Sequence, residues 1–270
     1  MTIDQLQYPV RLNFITFQKE YNKLTRSHIP LLNEVEDYLA LTPGKQLRPL
    51  LVLLSAKASG TLSNGHILLA TAVELLHNAS LMHDDVVDES DTRRGNTSVR
   101  GHWGNQVAVL CGDYYLAQTM KLLQEVHSAK ASALMADTVG AMVRGELLQL
   151  SVTRDRHATL QEYLSVIESK TATLISTCCQ LGALNLADDS SPYRKPLADF
   201  GHHYGIVFQL LDDLGSLNPN HDATLPAGIN PQSLIAEHTT LASRALNDLP
   251  PSPARDALAS LLLPSAPKPC

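Results

Sequence analysis

The chain has few of the residues that mark membrane, nucleic-acid-binding or disulfide-stabilised proteins. Its 270 residues include 1 Trp and 4 Cys, and aromatic residues make up 5%. The cysteines match neither a zinc-site spacing nor a disulfide framework, which favours a reducing compartment. The net charge of -6 comes without a basic cluster, which argues against nucleic acid as a partner. The N-terminus lacks a long apolar run, so we predict a cytoplasmic protein without a signal peptide or membrane span.

Helical periodicity dominates the chain, and the alternation expected of strands is essentially absent. We therefore predict an all-α protein, built as an antiparallel helix bundle. Its core would consist of Leu, Ala, Val and Ile, since aromatic residues are scarce. Candidate helices cover residues 12–39, 48–58, 66–92, 105–127, 130–151, 158–186 and 196–214. We find no internal repeat and no long linker, which favours a single domain over residues 1–270.

The last third of the chain differs in composition, because 11 of the 15 prolines lie beyond residue 190. A proline inside a helix costs about 3 kcal/mol. We therefore predict that the C-terminal part is broken into short pieces, and that the tail over residues 264–270 is disordered.

A group of carboxylates follows a long apolar segment. Residues 66–91 are apolar on nearly every face, which is typical of a buried helix. His77, Asp84 and Asp88 fall within about 40° on that helix and form one polar stripe. The five carboxylates are Asp84, Asp85, Asp88, Glu89 and Asp91. Gly95, shortly after this group, indicates that the helix ends here. A solvated acidic helix end is the simpler interpretation, but like charges four residues apart repel and a helix C-terminus disfavours anions.

A bound cation would relieve both penalties. Oxygen ligands without thiolates indicate Mg²⁺ or Ca²⁺, and Mg²⁺ is typically held by one or two carboxylates plus substrate phosphates. Arg93 and Arg94 would bind the phosphate oxygens that the metal leaves free. A second acidic pair, Asp212 and Asp213, ends another apolar segment shortly after Gln209. Two such helix ends facing each other could bracket several magnesium ions and one diphosphate.

Six motifs in this order resemble those of the trans-isoprenyl diphosphate synthases, which have the all-α isoprenoid synthase fold around a deep central cavity. The motifs are "GKQLRP", "HNASLMHDDVVDESDTRRG", "GDYYLA", "RGELLQL", "KTATL" and "GIVFQLLDD". The resemblance implies magnesium-assisted loss of diphosphate from an allylic prenyl diphosphate. Isopentenyl diphosphate then attacks the resulting carbocation, and a proton is lost.

The resemblance also implies roles for individual residues. The implied ligands of about three Mg²⁺ ions are Asp84, Asp85, Asp88 and Asp212. Catalytic roles are implied for Asp84, Asp85, Lys170 and Asp212. A role on the allylic side is implied for Arg93, Lys170 and Gln209, and isopentenyl diphosphate binding for Lys45, Arg48, His77 and Arg94. Thr171 is implied to bind substrate. Supporting roles are implied for Glu146, Gln149 and Tyr163.

Product length is implied by the residues just before the first aspartate. In the family, the position five residues earlier lies at the floor of the product cavity, and here it is Ala79, followed by Ser80. Small side chains leave that floor open. We therefore predict products longer than fifteen carbons.

The sequence departs from the family pattern after Asp213. The second motif reads "DDLGS", with Ser216 in place of the last aspartate, and the only later lysine is Lys268. Helical sequence expected before "LNDLPPSPARDALASLL" is largely missing, so the C-terminal part is predicted to be shortened.

Three functions therefore remain open. The first is a medium- to long-chain polyprenyl synthase, working as a homodimer or in a heteromer. The second is a homologue with weak or no catalysis that acts as a partner or modulatory subunit. The third takes His77, His83 and Asp84 as part of an HD-type phosphohydrolase, which would need further metal-binding histidines and leaves the second acidic pair unexplained.

Overall fold

The computed structural model describes residues 2–41, 44–93, 95–155, 159–215 and 230–263, with only the backbone given for residues 153–155. The α-helices are α1 (Ile3–Gln7), α2 (Arg11–Thr25), α3 (Pro30–Ala40), α4 (Leu47–Ser59), α5 (Asn64–Val87), α6 (Val99–Trp103), α7 (Asn105–Val126), α8 (Ala129–Asp155), α9 (Leu160–Ile167), α10 (Thr173–Ala183), α11 (Arg194–Gly215), α12 (Pro231–Leu246) and α13 (Pro253–Ser260). A 3-10 turn covers Tyr8–Val10, and a π-helical turn covers Glu168–Ala172. The all-α prediction is confirmed.

Helix α5 lies at the centre of the bundle, in contact with α2, α4, α7 and α10. Leu69, Ala70 and Leu75 have no exposed surface, as the all-round apolar sequence predicted. Among the described residues, we find no helix that is both long and apolar enough to cross a membrane. Cys111, Cys178 and Cys179 are buried free thiols.

Helix α5 ends earlier than the predicted boundary at residue 92. Its C-cap is Asp88, and the next residue, Glu89, takes a left-handed conformation with φ 49°. The N–H of Ser90 then donates to the Asp85 carbonyl at 2.9 Å, which closes a Schellman motif. Gly95 does not end the helix. It lies between two short antiparallel strands, β1 (Thr92–Arg93) and β2 (Asn96–Thr97).

Two other predicted helices are interrupted. The segment 12–39 breaks between α2 and α3, where Pro30 begins a new helix and Ile29 before it is extended. A residue that precedes proline is driven out of the helical region, so this break has a local cause. The segment 158–186 contains the π-helical turn in its middle.

The prediction of short pieces in the C-terminal part is wrong. Helix α11 has 22 residues and confirms the helix predicted over residues 196–214. Helix α12, however, has 16 residues and occupies sequence in which no helix was predicted. Pro231 and Pro253 stand at the first positions of their helices, where the missing N–H costs nothing. Asn230 caps α12 by accepting from the N–H groups of Gln232 and Ser233. The predicted disordered tail, Ser216 and Lys268 lie outside the described residues.

Candidate active site

The first acidic group lies in the last turn of α5. Asp85 is 2% exposed and forms an ion pair with Arg93 of β1, whose Nε and Nη2 each lie 2.7 Å from Oδ1 of Asp85. Burial raises the pKa of Asp85, and the Arg93 guanidinium opposes that increase. Arg93, predicted to bind substrate, therefore balances the charge of a predicted metal ligand in this structure.

Asp84 interacts electrostatically with a different set of charges. Burial raises its pKa to about 6; Lys170 opposes the increase, whereas Glu146 and Asp88 add to it. Asp88 itself is exposed at the end of the helix. A carboxylate with this surrounding charge is stabilised in its ionised form by an additional cation.

Lys170 is held by two side chains of α8. Its ammonium group donates to Oε1 of Gln149 at 2.9 Å and forms an ion pair with Glu146. Because both partners come from one helix, the ammonium group has a defined position, and its charge acts to lower the pKa of Asp84. Glu146 and Gln149, for which supporting roles are predicted, both contact Lys170.

The π-helical turn that carries Lys170 is enclosed by two glycines. A Cβ on Gly145 of α8 would lie 2.7 Å from the Cβ of Ser169. On the other side, a Cβ on Gly205 of α11 would lie 2.5 Å from the Cα of Ala172. Only glycine permits these approaches, and π-helical turns occur frequently at functional sites.

The second acidic pair lies at the end of α11 and is linked to the same turn. Thr171 donates to Oε1 of Gln209 at 2.7 Å, and Nε2 of Gln209 donates to Oδ1 of Asp213 at 2.8 Å. The phenol of Tyr163 donates to Oδ2 of Asp213. Burial raises the pKa of Tyr163, and the hydrogen bond to Asp213 raises it further. Asp212 is half-buried beside this network.

The residues predicted to bind isopentenyl diphosphate begin on α4. Nη1 of Arg48 lies 3.0 Å from Nε2 of His77 on α5, so these two side chains are brought together. Lys45 is exposed just before α4. Arg94 lies outside the described residues.

The two residues predicted to influence chain length differ in their surroundings. Ala79 has no exposed surface and belongs to the hydrophobic core. Ser80 is half-buried, and its hydroxyl donates to the His77 carbonyl at 2.8 Å. Ser80 is about 40° from Asp84 around the helix, and Ala79 about 140°. The structure therefore leaves Ser80 nearer to the acidic face.

The donors at the two helix ends are carboxylate oxygens without thiolates, which is the chemistry that Mg²⁺ prefers. The raised pKa of Asp84 beside Glu146 and Asp88 also suits a cation at this position. Within the described ranges, no group of three or more Asp, Glu, His or Cys side chains is already arranged to hold a metal ion. Mg²⁺ commonly takes one or two protein carboxylates and completes its shell with waters and phosphates.

Comparisons with known sequences identify relatives of this chain. A family profile described as polyprenyl synthetase matches residues 29–224. Octaprenyl diphosphate synthase of Escherichia coli K12 is 37% identical over 192 residues, which are 71% of this chain and 59% of that protein. Octaprenyl diphosphate synthase of Haemophilus influenzae is 34% identical over 223 residues, 83% of this chain and 68% of that one. Heptaprenyl diphosphate synthase component 2 of Bacillus subtilis is 32% identical over 217 residues, 78% and 62% of the two chains. This chain spans about three fifths of the length of the Escherichia coli relative.

Solved structures show the same fold. A decaprenyl diphosphate synthase from Rhodobacter capsulatus superposes with a TM-score of 0.86 at 27% identity, covering 97% of both chains. A polyprenyl synthase from Caulobacter crescentus, solved in complex with calcium and isoprenyl diphosphate, superposes with a TM-score of 0.86 at 24% identity, covering 97% of this chain and 96% of that one. The fold is therefore the all-α isoprenoid synthase fold of these polyprenyl synthases.

Proposed function

The chain belongs to the polyprenyl synthetase family, and on this basis we propose that it is a prenyltransferase. It condenses isopentenyl diphosphate with an allylic prenyl diphosphate to make a medium- or long-chain polyprenyl diphosphate. The main support is the π-helical turn, where Lys170 interacts electrostatically with Asp84 and Thr171 binds the Gln209 that contacts Asp213. One short segment thereby joins the two acidic helix ends that the reaction requires.

The carboxylates of Asp84, Asp85, Asp88 and Asp212 would hold Mg²⁺. When bound, this metal neutralises the charge of the diphosphate and makes it a better leaving group. Lys170 adds a fixed positive charge on the same side, and its position requires no rearrangement because Glu146 and Gln149 hold it. Arg93, which pairs with Asp85 in this structure, would bind diphosphate oxygens.

Isopentenyl diphosphate would bind at the Arg48 and His77 pair, with Lys45 and Arg94 adding charge. Arg48 and His77 come from α4 and α5, and Lys45 precedes α4, so the two diphosphates would meet different cations. The apolar residues of α5 would exclude water from the carbocation.

We further propose a cytoplasmic enzyme that assembles through α7 and α8. The outer faces of these helices carry large apolar side chains with 54–68% exposure, namely Leu110, Met120, Val143 and Leu147. A second copy of the chain is the simplest occupant. A different subunit is the alternative, since the Bacillus subtilis relative is named as one component of a synthase. Sedimentation of the purified chain distinguishes a dimer from a monomer that needs a partner.

Incubation with Mg²⁺, radiolabelled isopentenyl diphosphate and farnesyl or geranylgeranyl diphosphate tests the proposal. The extracted products are separated by chromatography. Asp84→Asn should abolish the elongated chains, whereas Asp137→Asn, the same change at an exposed position of α8, should retain them. Absence of product together with Mg²⁺-dependent diphosphate binding would contradict a stand-alone enzyme. That result would favour the weakly active or inactive partner subunit.

A further inference from the structure

Three hydrogen bonds join four side chains from α9, the π-helical turn and α11. They run from Tyr163 to Asp213, from Gln209 to Asp213, and from Thr171 to Gln209. Tyr163 is 5% exposed and Thr171 is 9% exposed, so the network is shielded from water at both ends. Hydrogen bonds in such surroundings are costly to leave unmade.

The direction of each bond is determined by chemistry. An ionised carboxylate can only accept, so Gln209 must turn its NH₂ group toward Asp213. The Gln209 carbonyl oxygen then faces Thr171, whose hydroxyl must donate to it. Burial raises the pKa of Tyr163, so its phenol stays protonated and remains a donor to Asp213.

This directed network limits what each member can offer to a substrate. Thr171 has one hydroxyl proton, and Gln209 receives it, so Thr171 cannot donate to a diphosphate without breaking the network. Gln209 has a second N–H beyond the one given to Asp213. Both carboxylate oxygens of Asp213 accept from protein donors, Oδ1 from Gln209 and Oδ2 from Tyr163.

We propose that Tyr163 and Asp213 are positioning residues that act through Gln209. They hold the Gln209 amide so that its second N–H donates to the allylic diphosphate; this role rests on the proposed prenyl transfer. Asp213 thus differs from its neighbour Asp212: it orients a hydrogen-bond donor, whereas Asp212 is the proposed metal ligand. Thr171 belongs with the positioning residues, since its proton is committed to the amide oxygen.

Two isosteric substitutions test this inference kinetically. Tyr163→Phe removes the donor to Asp213, and Asp213→Asn removes the charge that orients the amide. Each should lower kcat/KM for the allylic diphosphate by roughly 5- to 30-fold, as expected when one hydrogen bond is lost. The KM for isopentenyl diphosphate should change by less than about twofold, because Arg48 and His77 lie outside the network. Tyr8→Phe, at a side chain that is 77% exposed, is the matched control.

The double variant with both substitutions separates positioning from metal binding. Residues that act as one unit are not additive, so the double variant should be no slower than the slower single variant. If Asp213 binds the metal itself, Asp213→Asn will be far slower than Tyr163→Phe and the two losses will multiply. That result would overturn the inference.

A double-mutant cycle of Gln209 and Asp213, measured by thermal unfolding, needs no catalytic activity. It therefore tests the network even if the proposed function is wrong. Gln209→Glu alone places a carboxylate against Asp213 and should lower Tm. In the double variant Gln209→Glu with Asp213→Asn, the new amide donates to the new carboxylate, which still accepts from Thr171. The double variant should therefore unfold at a higher temperature than the two single changes predict by addition. Additive shifts would show that the directed network does not exist.

The double variant Gln209→Glu with Asp213→Asn also tests whether the Gln209 N–H contributes to diphosphate binding. It restores the network but lacks the Gln209 N–H, so its affinity for inorganic diphosphate in the presence of Mg²⁺ should stay reduced in calorimetric titrations. Recovery of wild-type affinity together with wild-type Tm would contradict donation by Gln209.

Discussion

Glu36 should make the stability of this protein depend on pH in a direction opposite to that of most carboxylates. Its side chain is 6% exposed in α3 and accepts a hydrogen bond from Tyr115. Burial raises its pKa from 4.5 to about 7. Replacement by glutamine keeps the shape and an acceptor for Tyr115 but removes the ionisation.

The pH window follows from these two pKa values. Between about pH 4.5 and pH 7 the folded chain holds the Glu36 proton while the unfolded chain has released it. The native state binds more protons there, so the free energy of unfolding decreases as pH rises. At 1.36 kcal/mol per unit the full loss is about 3 kcal/mol, and roughly 2.5 kcal/mol of it falls between pH 5 and pH 8.

Thermal denaturation of wild type and Glu36→Gln at both pH values measures this difference. The advantage of the glutamine variant should be larger at pH 8 than at pH 5 by roughly 5–10 °C in Tm, at about 2–4 °C per kcal/mol for a chain of this size. Comparing the Tm difference between variant and wild type at the two pH values cancels the contribution of every group that titrates equally in both proteins. Glu34→Gln, an exposed position on the same helix, should show no such dependence. A Tm difference that is the same at both pH values would refute the reasoning.

Two further predictions concern the π-helical turn and the product length. Gly205→Ala places a Cβ 2.5 Å from the Cα of Ala172, so we expect a loss of about 1–3 kcal/mol in the free energy of unfolding. Gly140→Ala, where the new Cβ meets a flexible side-chain end at 3.3 Å, should instead gain about 0.5–1 kcal/mol; denaturation curves that show equal effects would exclude this role for Gly205. Ala79→Phe and Ser80→Phe should each shorten the prenyl products separated by chromatography, and Ala79→Phe should also lower Tm because that site is fully buried. Unchanged chain lengths in both active variants would contradict the placement of the product floor.

The sequence was misleading where one residue type, proline or glycine, is compatible with two different local structures. Eleven prolines after residue 190 predicted short pieces, yet Pro231 and Pro253 begin helices that the pattern did not reveal. A proline disrupts a helix interior but is favoured at the first helical position. Moving the helix start by one or two residues therefore changes whether the proline argues against a helix or for one. Gly95 was similarly assigned to a helix end, although Glu89 closes α5 and Gly95 forms the turn between two strands.

The sequence alone determined the helical class, the buried path of α5 and the two acidic helix ends. These are properties of residues a few positions apart, and helical periodicity expresses them directly. The metal, substrate and chain-length assignments stay predictions, because they concern ligands that would bind at these residues.

Only the tertiary structure decided which side chains meet. Arg93 pairs with Asp85, Lys170 is held by two residues of α8, and Tyr163 contacts Asp213. Glycines on α8 and α11 let the π-helical turn lie between these helices and connect the two acidic ends. Partners separated by 50 positions, such as Tyr163 and Asp213, come together through the packing of whole helices, and no local pattern in the sequence carries that information.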